Sequence, residues 1–142
     1  MIRIAEADVE DAREFLTLEA KCFSMRFSSN TLYYWRPIVD YCWAFKAVDR
    51  HRIVGGVIAM PTRDDRVYVN SLFVDSGYRR SGIGSRLLAR VLELKPSRGF
   101  VLDVKTEGSF LQEFYERRGF KRAHVARDYY RDGTTRIIME RE

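Results

Sequence analysis

Cysteine, histidine and proline are scarce in this chain: 142 residues include two cysteines, two histidines and three prolines. Cys22 and Cys42 lack CxxC spacing, and with only His51 and His124 to join them they outline neither a zinc site nor a disulfide framework. The thiols are therefore expected to be reduced and partly buried, and no metal is expected. No apolar run approaches the roughly 20 residues that span a bilayer. The opening MIRIAEADVEDAREF carries acids where a signal peptide needs an apolar stretch. These gaps predict a cytoplasmic protein with no membrane partner. Internal repeats, low-complexity segments and linkers are missing as well, so residues 1–142 are read as a single domain.

What is present suits a packed core. The chain is 46% hydrophobic, 13% aromatic and 32% charged, which argues against intrinsic disorder. Its net charge of +5 suits an anionic partner such as a nucleotide, a nucleic acid or a ribosome surface. Basic residues concentrate at Arg79, Arg80, Arg86 and Arg90, and again at Arg117, Arg118, Lys121 and Arg122. The second group reads equally well as a solvated helix end.

Periodicity gives an order of elements. IRIAEA at 2–7 alternates like a strand, and Asp8 and Asp11 offer an N-cap and an acidic first turn to a helix carrying Val9, Ala12, Phe15, Leu16 and Phe23. FSMRFSSNTLYYW breaks the period with a loop, and a short second helix follows that Pro37 should end or kink. YCWAFKAV, RIVGGVIAM and RVYVNSLFV are separated by the polar turns DRH and TRDD, which predicts three consecutive antiparallel strands. A helix follows with Ile83, Leu87, Leu88, Val91 and Leu92 on one face. Then come a buried strand GFVLDV, a helix over 109–118 closed by Gly119, and a hairpin of HVARDYY and TRIIME around Asp132 and Gly133. The result is a layered α/β chain.

Between the third of those strands and its helix lies YRRSGIGSRLL, in which Arg79, Gly82 and Gly84 form R-x-x-G-x-G. Glycines let backbone N–H groups approach a ligand closely, and a helix N-terminus adds unpaired donors and the positive end of its dipole. Such a turn can hold a pyrophosphate, or it can be only a tight connection. It lacks the complete GxGxxG of a dinucleotide fold and the GK[ST] of a P-loop.

The flanks narrow the choice. LFVDSGYRRSGIGSRLL resembles the acetyl-coenzyme A signature of the GNAT N-acetyltransferase superfamily: an apolar strand, a short link, then [QR]-x-x-G-x-[GA]. FYERRGF at 114–120 matches the later Y-x-x-x-G-F segment of that family, and the element order agrees over nearly the whole chain. The resemblance implies a GNAT fold, with a mixed, mostly antiparallel sheet of six or seven strands flanked by about four helices. It also implies acetyl-CoA as cofactor. Leu72, Phe73 and Val74 would bond its acetyl and pantetheine groups through a strand edge, as a β-strand bonds a peptide. Arg79, Arg80, Ser81, Gly82, Ile83, Gly84 and Ser85 would wrap the pyrophosphate. One position departs from the pattern: where many members carry an Asn that touches pantetheine, this chain has Gly108, with Ser109 beside it.

Acetyl transfer to an amine needs a neutral amine, a stabilised oxyanion and a proton for the departing thiolate. The resemblance gives the last role to Tyr115, which could otherwise be a core tyrosine beside Phe114 and Phe120. Asp103 in VLDV faces away from Leu102 and Val104, and is either a solvated sheet residue or a functional acid. LDV…FYERRGF followed by RDYYRDGTTRIIM is similar to RimI and archaeal Ard1-like proteins, which acetylate protein N-termini. RimI-like sequences have a glutamate at Asp103, the base; the shorter aspartate would work through a water. A further carboxylate of some relatives is here Asn70, which can still bond substrate or an ordered water. The Y-Y pair Tyr129 and Tyr130 would contact the substrate peptide, unless it only pairs across a hairpin. Met25, Phe27, Ser28 and Tyr33 would complete the specificity wall.

Magnitude favours an α-amine acceptor. Neutralising an α-amino group at pH 7 costs about 1 to 1.4 kcal/mol, and a lysine about 4.6 kcal/mol. The leading expectation is an acetyl-CoA-dependent acetyltransferase of a protein or peptide N-terminus, ribosomal proteins included, with ribosome association left open. Against it stand a GNAT acting on a small amine, and a noncatalytic module that binds coenzyme A or RNA. Either a monomer or a homodimer is compatible with short edge strands.

Overall fold

A computed structural model describes residues 1–24, 29–107 and 109–142. Its strands are β1 (Ile2–Glu6), β2 (Trp43–Asp49), β3 (Arg52–Pro61), β4 (Val67–Val74), β5 (Phe100–Lys105), β6 (Lys121–Ala126) and β7 (Arg136–Arg141). Four helices accompany them: α1 (Ala12–Cys22), α2 (Ser29–Tyr41), α3 (Ile83–Leu92) and α4 (Ser109–Glu116). The strands hydrogen-bond in the order β1-β2-β3-β4-β5-β7-β6. By their contacts the residues form two compact units, Met1–Met60 with Val69–Lys95, and Pro61–Tyr68 with Pro96–Glu142.

In the first unit the entry into α1 is set by Asp8. Its carboxylate accepts from the Glu10 amide at 3.0 Å, while Asp11 accepts from the Asp8 amide at 2.8 Å, a reciprocal cap. The capped segment is a 3-10 turn, Val9–Asp11, and α1 proper begins at Ala12. Val9 and Phe23, expected on the core stripe, are both exposed, because the tighter turn at one end and the helix end at the other rotate them off it. Phe15, Leu16 and Leu18 are buried, each such side chain contributing about 1.5 to 3 kcal/mol.

Paired glycines in β3 let helices close on the sheet from both sides. A Cβ on Gly56 would lie 2.4 Å from the Phe15 ring and 2.6 Å from that of Phe73. On Gly55 it would stand 3.3 Å from both Ile83 and Leu87 of α3. Phe15 fills the resulting space, 4.8 Å from the Trp35 ring and 5.1 Å edge-on to Phe73. Trp35 anchors α2 by donating from its indole to the Asp8 carbonyl at 3.1 Å. Helix α2 is longer than the sequence suggests and runs through Pro37 without ending there. Trp35 is buried, and Ile38 and Val39 pack against the same core, so tertiary burial outweighs the hydrogen bond that proline cannot make.

In the second unit β5 pairs antiparallel with β7, and β7 with β6. Val67 and Tyr68, at the start of β4, pair in parallel with Phe100 and Val101. Helix α4 is tied to the end of β5 by Gln112, whose amide donates to the carbonyls of Lys105 and Thr106 at 3.3 and 3.2 Å. The last hairpin differs from expectation: β6 starts at Lys121, and its register with β7 ends at Ala126 and Arg136. Tyr129 and Tyr130 therefore lie in the connecting turn. Local polar chemistry stops the ladder there, since Asp128 accepts from the Gly133 amide at 2.7 Å and Asp132 from the Thr134 amide at 3.0 Å.

Gly56→Ala should lower stability by about 1 to 3 kcal/mol, because a rigid sheet backbone and two aromatic rings must all yield. Urea unfolding should show a lower midpoint with an unchanged slope.

Candidate active site

The glycine-bearing turn belongs to the first unit. Asp75 begins it, its amide bonded to the Val54 carbonyl at 2.8 Å and its carboxylate 3.0 Å from the Arg52 guanidinium. After the short 3-10 turn Ser76–Tyr78, Arg80 takes a positive φ of 65° and Gly82 one of 83°. Gly82 is the N-cap of α3, and no side chain caps that end of the helix. A Cβ at Gly82 would meet nothing within 4 Å, so what favours glycine is the left-handed backbone together with room for a ligand. Arg79, Arg80, Ser81 and Gly82 are exposed, Gly84 and Ser85 half-buried, and Ile83 buried as the first core residue of α3. An uncapped helix N-terminus with two exposed arginines fits a pyrophosphate. Arg79 also folds back to donate to the Val74 carbonyl at 3.2 Å.

Leu72, Phe73 and Val74 lie at the end of β4, Phe73 facing the core and the other two half-buried. Among the described residues the ladder from β4 to β5 consists of Val67 and Tyr68. Asn70 is exposed on the same strand, and Tyr33 is 79% exposed on α2. Phe27 and Gly108, together with Met25 and Ser28, lie outside the described residues.

The acid belongs to the second unit. The alternation of β5 turns Asp103 away from Leu102 and Val104, as its sequence neighbours require, yet its side chain is only 5% exposed. A carboxylate so withdrawn from water needs donors. Tyr68 of β4 donates its hydroxyl to one oxygen, and Tyr130 donates to the other at 2.8 Å. The two phenol oxygens are 3.4 Å apart. Arg136 of β7 brings a guanidinium nitrogen to 3.8 Å and lays its plane 4.9 Å from the centre of the Tyr130 ring. Tyr129 packs edge-on to Tyr130 at 4.9 Å.

Tyr115 on α4 is packed 5.1 Å from Phe114 and 5.5 Å from Phe120. Its hydroxyl has no hydrogen-bond partner among the described residues. Burial above all, and the negative charge of Asp103 next, raise its pKa above the ordinary phenol value. Tyr68 is shifted up as well, by burial first and then by its bond to Asp103, and Tyr130 upward mainly by burial. All three phenols are thus held in the proton-bearing form, the form needed to donate.

Tyr68 and Arg136 were not legible as site residues. Strand alternation puts Tyr68 on one face of β4, but nothing local shows that this face meets Asp103. The turn chemistry of Asp128 and Asp132 was the available signal that Tyr130 would leave the strand and be able to reach it.

A model of the acetyltransferase (GNAT) family matches residues 12–120. The chain belongs to that family. It is similar to an N-alpha-acetyltransferase of Sulfurisphaera tokodaii, 28% identical over 135 residues, which cover 92% of this chain and 72% of that one. It is also similar to the N-acetylaspartate synthetase of Danio rerio, 33% identical over 113 residues, which cover 77% of this chain but 39% of that protein. Among solved structures, the ribosomal-protein-S18-alanine N-acetyltransferase of Escherichia coli superposes with a TM-score of 0.85 at 22% identity, covering 99% of this chain and 93% of that one. Arabidopsis thaliana Naa50, in complex with the bisubstrate analogue CoA-Ac-MVNAL, gives 0.81 at 21%, covering 97% of both chains. The expected GNAT fold is therefore the observed one, with seven strands and four helices, and it places this chain in a family of acetyl-CoA-dependent N-acetyltransferases.

The GNAT reading leaves the protonation of the tyrosines as a direct check. A raised phenol pKa in the folded state contributes stability that is complete below the unfolded value of about 10 and is lost as pH rises toward the folded value. Of the eight tyrosines, Tyr68 and Tyr115 should resist ionisation beyond pH 10 in an absorbance titration, and urea midpoints should fall there. Tyr68→Phe should remove part of that fall.

Proposed function

We propose that this chain is an acetyl-CoA-dependent acetyltransferase of protein or peptide N-termini, ribosomal proteins among them, built as one acetyltransferase domain over residues 1–142. The observation that carries the reading is the Asp103 carboxylate held by Tyr68 and Tyr130 beside a proton-bearing Tyr115. That is an acid and a base in one constellation. Similarity to the Sulfurisphaera N-alpha-acetyltransferase and to the Escherichia coli S18 enzyme supports the acceptor class. The net charge of +5 supports a ribosomal setting, and the cytoplasm is the corresponding place of work.

Acetyl-CoA, when bound, supplies an acetyl group already activated as a thioester. On this reading the backbone of Leu72, Phe73 and Val74 bonds the extended arm of the cofactor, and Arg79 to Ser85 receive its pyrophosphate. Gly108 offers no side chain to the pantetheine, which leaves the strand edge the larger share of that recognition.

Asp103 is the proton acceptor for the substrate ammonium. Both of its oxygens already accept from phenols, so the proton travels by relay: the hydroxyl of Tyr130 or Tyr68 takes a proton from the amine as it passes its own to Asp103. These hydroxyls fill the part that a bridging water would otherwise play. Arg136 stands 3.8 Å from the same carboxylate. The neutral α-amine would then accept the acetyl group, and Tyr115 would give its proton to the thiolate and recover one from the new amide nitrogen. An α-amine needs only about 1 to 1.4 kcal/mol of help to lose its charge at pH 7, which a relay through a hydrogen-bonded carboxylate can supply. Tyr129, Tyr130 and Tyr33 each contact the peptide on this reading, and Asn70 bonds it or an ordered water.

A second reading, acetylation of a small amine, is favoured by the similarity to N-acetylaspartate synthetase. Both are tested by incubating the full chain with acetyl-CoA and peptides varied at the first two residues, some blocked at the α-amine but carrying lysine, together with amino acids and polyamines. Products are located by mass and thiol release. Acetylation confined to free α-amines of peptides is the expected result. Tyr115→Phe should lower kcat by about 10²-fold or more at nearly constant KM, and Asp103→Asn should do the same in kind. Modification of small amines alone would transfer the assignment to the second reading; coenzyme A binding without any turnover would sink both.

A further inference from the structure

Helices α1 and α2 and strands β3 and β4 of the first unit line a cavity of about 400 Å³, a size suited to a small ligand group. Its walls are mainly apolar, formed by side chains such as Leu16, Ile38, Ile58 and Met60. The charged residue in this lining is Glu19, and Asn70 of β4 adds an amide. Glu19 stands four residues after Phe15 and three after Leu16, on the stripe of α1 that faces the core. A leucine there would cost nothing in desolvation.

Glu19 makes no ion pair among the described residues. Burial raises its carboxyl pKa above the usual value, partly offset by the nearby Ser71 hydroxyl. Ser71 is itself unsatisfied: it is 7% exposed, and its Oγ reaches no partner at hydrogen-bond distance among the described residues. A buried hydroxyl without a partner, beside a half-buried carboxylate that makes no ion pair among the described residues, is costly in an apolar setting. The missing partner is a cation with several N–H donors. An ammonium has three, and the Glu19 carboxylate and the neighbouring Ser71 hydroxyl can each accept from it.

We propose that this cavity holds the ammonium of a lysine side chain carried by the peptide substrate near its N-terminus, the aliphatic stem lying along Leu16, Ile38, Ile58 and Met60. The inference deepens the N-terminal reading and rests on it for the identity of the ligand. The ammonium bound here is not the one that reacts. Pairing with Glu19 favours the charged form of an amine, whereas acetyl transfer needs the neutral form. Glu19 thus selects substrate and takes no part in proton transfer.

The test uses the full chain, acetyl-CoA and peptides with free α-amines that carry lysine or its neutral isostere norleucine at residue one, two or three. At one of these positions lysine should give a KM about tenfold lower than norleucine, as expected for a hydrogen-bonded charge. Glu19→Gln should bring the two within about twofold, by raising the KM of the lysine peptide. The variant should melt no lower than the parent, since it removes a half-buried carboxylate that makes no ion pair among the described residues. Parity of lysine and norleucine at all three positions overturns the proposal. So does an equal loss of kcat on both peptides in Glu19→Gln, which would mark a proton-transfer role, or a fall in melting temperature, which would mark a structural one. Should no peptide be acetylated, the N-terminal reading fails first and the cavity is judged by binding: hexylammonium should raise the melting temperature of the parent more than hexanol does, and not that of Glu19→Gln. Equal shifts from the two probes overturn the cavity as an ammonium site.

Discussion

A carboxylate almost out of reach of water has to be met by donors, and meeting Asp103 organises the second unit. Tyr68 comes from the start of β4, Arg136 from β7 and Tyr130 from the turn that joins β6 to β7. Three separate stretches of chain are therefore fixed by one charge. The arrangement is rigid for an electrostatic reason, since removing any donor leaves the carboxylate under-solvated in a medium of low polarisability. The same charge acts on Tyr115, helping to hold its proton in place.

The first unit is organised by close approach. Without side chains at Gly55 and Gly56, Phe15 of α1 packs against one face of β3 and Ile83 and Leu87 of α3 against the other. This fixes where α3 begins, and so where its uncapped N-terminus and the arginines of the preceding turn stand. An anion site made from backbone donors and a helix end needs little more than that placement. The hydrophobic core and the candidate cofactor turn are consequences of the same packing.

Glu19 is the counter-example within that core. Nearly every other core-facing position of α1 is apolar, and the helix would gain by an apolar residue here too. Local rules of folding are broken where a site needs a polar group, and the unsatisfied Ser71 beside it makes the same point from β4. The two departures coincide in space although they are 52 residues apart in sequence.

Periodicity and turn chemistry were enough for the element order. The Asp8 cap, the strand at β1, the polar turns that separate β2, β3 and β4 and the apolar stripe of α3 each depend on neighbours within a few residues, and each is found where the sequence puts it. The R-x-x-G-x-G turn was legible for the same reason, since positive φ at Gly82 and an open helix end are local properties. Local rules misjudged α2, where burial of Trp35 and its neighbours carried the helix past Pro37, and the final hairpin, where Asp128 and Asp132 bonded the backbone and drew Tyr130 out of the strand. The sequence by itself determined which residues could do chemistry: an acid in an apolar strand, a tyrosine before Gly-Phe, glycines ahead of a helix. Only the tertiary structure decided that Asp103 meets Tyr68 and Tyr130, and that Glu19 meets Ser71. Both join residues far apart along the chain: the first is held by hydrogen bonds and the second created by burial, and neither exists until the sheet has formed.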